Sequence, residues 1–182
     1  MFEVLALISS FIAMSFVVVA YFVKKKELYL LFQFLCIIFL IISYFFTAEF
    51  FAMAGLVVAL IRTLVFYLYE KRGLLAPIIW PITFTTLSLA SYFIINLWIL
   101  KTVKPVDTIF LIGLILYAFI FRIRDLKIVR FSMLFPTGLS LLYNILSNAP
   151  IFATCSYAFE LTANIISIFK YHVIKPKQKT LD

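Results

Sequence analysis

Apolar and polar residues follow one another along this chain in long blocks rather than in short periods. Val4–Val23 is an apolar block closed by Lys24, Lys25, Lys26 and Glu27. A bilayer core about 30 Å thick takes a helix of about 20 apolar residues, so this block predicts a membrane span. It lacks the pattern of a cleavable signal peptide, because Glu3 precedes the block and the lysines follow it. Leu28–Tyr69 stays apolar over 42 residues, about 63 Å as a helix and so two membrane thicknesses. Thr47, Ala48 and Glu49 offer the break, which predicts a tight hairpin of two spans. Glu70, Lys71 and Arg72 follow, and Gly73 suits a helix stop.

Leu74–Leu100 predicts a fourth span, with Pro77 and Pro81 in its first turns. Thr108–Phe121 is short, and it reaches across only if Pro105 and Val106 begin the helix, where proline is tolerated. A basic stretch from Arg122 to Arg130 precedes Phe131–Ser147, and Asn148, Ala149 and Pro150 turn the chain into Ile151–Tyr171. The expected spans are therefore 4–23, 28–47, 50–70, 74–100, 105–121, 131–147 and 150–171, with 172–182 as a basic cytoplasmic tail. No linker divides them, so residues 1–182 read as a single all-α polytopic membrane domain.

Composition narrows the picture. The hydrophobic fraction is 65%, the charged fraction 13% and the mean hydropathy +1.15. An ordinary soluble domain is about 45–50% apolar and about 25% charged. A water-soluble globule of this size has too little core to hide the excess. The net charge of +8 is gathered in clusters between apolar blocks, which fits membrane loops and anionic lipid headgroups rather than nucleic acid. With the N-terminus outside, thirteen of the sixteen Lys and Arg fall on the inner side, Lys101 and Lys104 fall outside, and Arg62 lies within a span. The positive-inside rule thus predicts seven spans, N-terminus out and C-terminus in. Cys36 and Cys155 lie in apolar runs, and His172 is the lone histidine. Neither a disulfide framework nor a metal site or catalytic triad is expected from them. No cofactor is expected, and an enzyme is the weakest reading.

The fourth span separates two triplets that point the same way. Each triplet has a basic loop after its first helix and a nearly uncharged turn between its second and third. Arg62 lies 12 residues past Phe50 and Glu160 lies 10 past Pro150, which sets them at similar depths of about 18 and 15 Å on corresponding helices. Charged groups at bilayer depth cost roughly 2.5–3.5 kcal/mol each and mark a partner or a function. A buried pair is the expectation, serving to lock helices, to line a solute path, or both. Small and polar residues recur at helical spacing elsewhere. One set is Ala153, Ser156, Glu160, Ala163, Asn164 and Ser167, and another is Ser132, Pro136, Ser140, Asn144 and Asn148. Ala6, Ser9, Ser10, Ala13 and Ala20 form a third stripe, and Gly55, Ala59 and Arg62 a fourth. Such faces turn toward protein or water. Close packing accounts for the Ala and Ser positions, whereas the amides of Asn144 and Asn164 have more bonds to satisfy.

The seven spans, the segment Gly55–Leu64 (Gly-Leu-Val-Val-Ala-Leu-Ile-Arg-Thr-Leu) and Ala163-Asn164-Ile-Ile resemble the YgjV-like bacterial inner-membrane proteins. That group is distantly similar to the SWEET, PQ-loop and PnuC transporters. The resemblance implies a 3+1+3 parallel-repeat arrangement, a place in the bacterial cytoplasmic membrane, and a solute site between the triplets. There is no Pro-Gln dipeptide here, and only Pro136 sits well inside a triplet helix, whereas SWEET-type rocking uses several such prolines. The leading expectation is a facilitator or secondary carrier for a small polar metabolite. Arg62, Glu160, Asn164 and Asn144 are its candidate binding residues, and membrane lipids are its surroundings. The alternative is a non-transporting integral membrane assembly or regulatory subunit.

Overall fold

A computed structural model describes residues 2–99, 101, 104–147, 149 and 151–173. Within these, seven α-helices and no strands form: α1 (Phe2–Phe22), α2 (Lys26–Phe46), α3 (Phe50–Lys71), α4 (Ile79–Phe93), α5 (Pro105–Ile120), α6 (Leu126–Leu146) and α7 (Ile151–Ile168). A π-helical turn, Ile94–Ile99, extends α4, and another, Phe169–Val173, extends α7. Helices α1, α2, α3, α6 and α4 with its extension are long and apolar enough to cross a membrane, and α5 is a shorter apolar helix. The expected tail lysines Lys175, Lys177 and Lys179 lie outside the described residues, as do Asn148 and Pro150 of the last turn.

The helix ends follow local chemistry. Gly73 takes a left-handed φ of 68° just past α3, and its N–H donates to the Glu70 carbonyl at 2.9 Å. Helix α4 starts at Ile79 rather than Leu74, because Pro77 disfavours helical geometry at Ala76 and brings no N–H. The Arg122 side chain donates to the Ala76 carbonyl at 3.0 Å and pins this non-helical entry. Helix α6 starts at Leu126, earlier than the expected Phe131. Asp125 caps it by accepting from the Lys127 N–H at 2.8 Å. The hydroxyls of Thr83 and Thr86 on α4 bond back to the carbonyls one turn earlier, at 2.8 and 3.1 Å, so they need no outside partner.

Neighbour packing runs α1–α2–α3–α4–α5–α6–α7 and closes from α7 back onto α1. The small-residue stripes turn inward. Ala6, Ser9, Ser10, Ala13 and Ala20 on α1 are buried, as are Ala153, Ser156, Glu160, Ala163, Asn164 and Ser167 on α7. Large side chains such as Phe11, Ile61, Phe135 and Phe159 point outward and are at least half exposed, as lipid-facing residues should be. At one end Lys26 bridges Glu70 at 2.7 Å, and Arg122 and Arg130 reach across nearby connections. At the other end burial pushes the Glu49 carboxyl above its ordinary range, and Lys104 opposes that shift.

Two glycines separate close packing from open space. A Cβ on Gly55 would meet Leu114 Cδ1 at 2.8 Å and Phe110 Cε1 at 3.0 Å, whereas one on Gly138 would meet nothing within 4 Å. Gly55→Ala should therefore gain less than its helix propensity offers, because the ends of the Leu114 and Phe110 side chains must shift to admit the methyl group. Gly138→Ala should gain a few tenths to about 1 kcal/mol through helix propensity. Denaturation of the two purified variants in detergent checks that Gly138→Ala is the more stable.

Candidate functional site

Four of the buried polar side chains, Gln33, Arg62, Ser140 and Glu160, meet at one internal cavity. Glu160 on α7 is 5% exposed. Its Oε1 accepts from the Tyr21 hydroxyl at 2.9 Å and from the Gln33 amide at 3.3 Å. The Tyr29 hydroxyl lies 3.4 Å from that of Tyr21. Arg62 on α3 is 2% exposed. Its Nη1 donates to the Leu114 carbonyl at 2.8 Å, and its Nε has no hydrogen-bond partner. The rings of Tyr117 and Phe121 flank the guanidinium, with centroids at 5.4 and 5.2 Å.

Arg62 and Glu160 do not form the ion pair that depth along the helices suggests. Among the described residues the only ion pair is Lys26–Glu70. Neutral groups hold both charges instead: a carbonyl and two rings for the cation, a phenol and an amide for the carboxylate. Both side chains nonetheless line one internal cavity of about 30 Å³, room for one or two waters. Gln33, Tyr117, Ser140 and Tyr157 add polar groups to its wall, while Ile37, Leu40, Leu56 and Leu114 make much of the rest apolar.

The other two candidate residues lie off this cavity. Asn144 accepts at Oδ1 from the Tyr44 hydroxyl at 3.1 Å, joining α6 to α2, and its Nδ2 has no partner. Asn164 donates from Nδ2 to the Arg130 carbonyl at 2.8 Å, and its Oδ1 has no partner. The Tyr143 ring packs at a tilt against Phe110 with centroids 4.8 Å apart, next to Phe51. The cavity thus lies between two aromatic layers. Tyr44 and Tyr143, with Asn144 bonded to Tyr44, form one, and Tyr21 and Tyr29 form the other, with Phe121 between Tyr29 and the cavity wall.

The sequence places Arg130 in a basic loop, and the early start of α6 corrects this. The residue is 2% exposed. Its Nη2 donates to the Tyr21 carbonyl at 3.1 Å and the Val23 carbonyl at 2.6 Å. The Tyr171 hydroxyl takes the Phe22 carbonyl at 2.9 Å. Helix α1 has no basic residue in its last turn, so its C-terminal carbonyls are satisfied by α6 and by the end of α7. The periodic signal was present: Val129, Arg130, Met133, Thr137, Ser140 and Asn144 share one buried face.

A closed ring of apolar helices with charges held on its axis defines a polytopic helical membrane protein. The family description of Imp-YgjV, bacterial inner membrane protein, matches residues 4–175. The chain belongs to that family, and its place is the bacterial inner membrane. No curated protein matches the chain, and no solved structure matches it.

Proposed function

We propose that the chain is a facilitator or secondary carrier for a small polar metabolite, which binds in the cavity between α1–α2–α3 and α5–α6–α7. One observation carries this reading: a single axial cavity receives both a guanidinium and a carboxylate that no ion pair consumes. The neighbour order supports two triplets joined through α4, in the 3+1+3 manner of the SWEET, PQ-loop and PnuC transporters. All seven helices cross the membrane in this reading, with the N-terminus out and the basic end facing the cytoplasm. The two aromatic layers are the closures that open in turn, as alternating access requires. The small cavity then belongs to a closed, solute-free conformation, and the site widens when solute enters.

A thermal-shift screen of the purified protein against sugars, nucleosides, vitamins and amino acids tests the proposal, followed by uptake into proteoliposomes. A stabilising solute that is also taken up is the expected result. A second reading, a non-transporting assembly or regulatory subunit, is favoured by how nearly filled the interior is. Co-purification of a fixed partner, with no stabilising solute and no uptake, would establish it instead.

A further inference from the structure

A guanidinium and a carboxyl group face one cavity, and the protein holds each away from the other. Tyr117, Phe121 and the Leu114 carbonyl fix the guanidinium of Arg62. Tyr21 and Gln33 fix the carboxylate of Glu160. A buried ion without a counter-charge costs several kcal/mol, and joining these two would relieve both. Keeping them apart leaves a site short of one negative and one positive group.

We infer that the occupant of this cavity is a small zwitterion of the α-amino acid type, its carboxylate on Arg62 and its ammonium on Glu160. This rests on the carrier reading and names its substrate class. The carboxylate meets a planar fork of donors whose Nε is still unpaired. The ammonium donates to a carboxylate whose present partners, Tyr21 and Gln33, are neutral. Once the cavity widens beyond the one or two waters it holds when closed, the aliphatic wall of Ile37, Leu40, Leu56 and Leu114 suits a short apolar side chain. A zwitterion brings equal and opposite charge, so its entry leaves the net charge of the buried site unchanged. A simple anion or cation would pair one ion and leave the other bare.

The test compares L-alanine and L-valine with N-acetyl-L-alanine, which lacks the ammonium, and L-alaninamide, which lacks the carboxylate. Thermal shift and proteoliposome uptake are read for the wild type and for Glu160→Gln, whose amide oxygen still accepts from Tyr21. Wild type should prefer the free amino acids over either analogue by about tenfold or more, one lost charged contact being worth at least about 1.4 kcal/mol. In Glu160→Gln the preference over N-acetyl-L-alanine should disappear. Should that variant fail to fold, the wild-type series decides alone. Equal response to alanine and N-acetyl-L-alanine would overturn the inference and leave the carrier standing, as would a sugar or nucleoside as the sole stabilising solute. No response to any solute class would remove the carrier reading as well.

Discussion

Arg62→Met should cut solute uptake by roughly a hundredfold or more, since truncating a buried charged contact to a ligand costs about 2–5 kcal/mol. The same substitution should not lower the melting temperature, and that combination distinguishes the residue's role. In the empty protein the guanidinium has no counter-charge, one hydrogen bond and an unpaired Nε. Its burial is a standing cost that methionine, similar in length and apolar, removes. A residue kept for packing would show the reverse, with stability lost and uptake falling only as folded protein falls. Arg62→Lys keeps the charge but loses the fork and the ring stacking, so it should fall between wild type and Arg62→Met in uptake. Initial rates normalised to folded protein in the liposomes, beside melting curves of the same preparations, give both readings.

Arg130→Met should behave in the opposite way and destabilise the protein by about 3 kcal/mol, because hydrogen bonds to charged groups are worth about 1.5–3 kcal/mol each. Two carbonyls at the end of α1 depend on this one side chain. Neither lies in a helical repeat that continues, and methionine offers no donor. Residual uptake per folded molecule should change far less than in Arg62→Met. Chemical denaturation in detergent measures the loss, and a stability within about 0.5 kcal/mol of wild type would contradict the capping role. The two arginines are equally buried, at 2% exposure each, yet their expected effects differ in sign because only Arg130 saturates groups the fold leaves open.

The contrast also marks how far the residues alone carry. Blocks of about 20 apolar residues fix crossings because length and hydropathy are one-dimensional quantities. The stripes on α1 and α7, and Pro136, Ser140 and Asn144 on α6, could be assigned to the interior for the same reason, since helical spacing fixes which positions share a face. Depth is likewise additive along a helix, which is why Arg62 and Glu160 were expected at one level and do line one cavity. Azimuth is not additive. Whether two groups at one level touch depends on how the helices rotate and pack, and here Tyr21 and Gln33 reached Glu160 first. The tyrosines are invisible to a hydropathy sum because they count as apolar in it, while their hydroxyls bond Glu160, Asn144 and Thr137. Arg130 reads as loop because it is a charge at a block edge, although it continues the buried face of α6.

Cys36 offers the most direct test of a cavity that opens. The thiol lines the cavity and is 3% exposed, and the other cysteine, Cys155, can be replaced by alanine. With Cys155→Ala in native membranes, a small water-soluble methanethiosulfonate should modify Cys36 over minutes, and a transported solute should slow that reaction. Cys36 that stays unmodified until the protein is denatured would mean that water never reaches the axis, and the carrier account would fall with it.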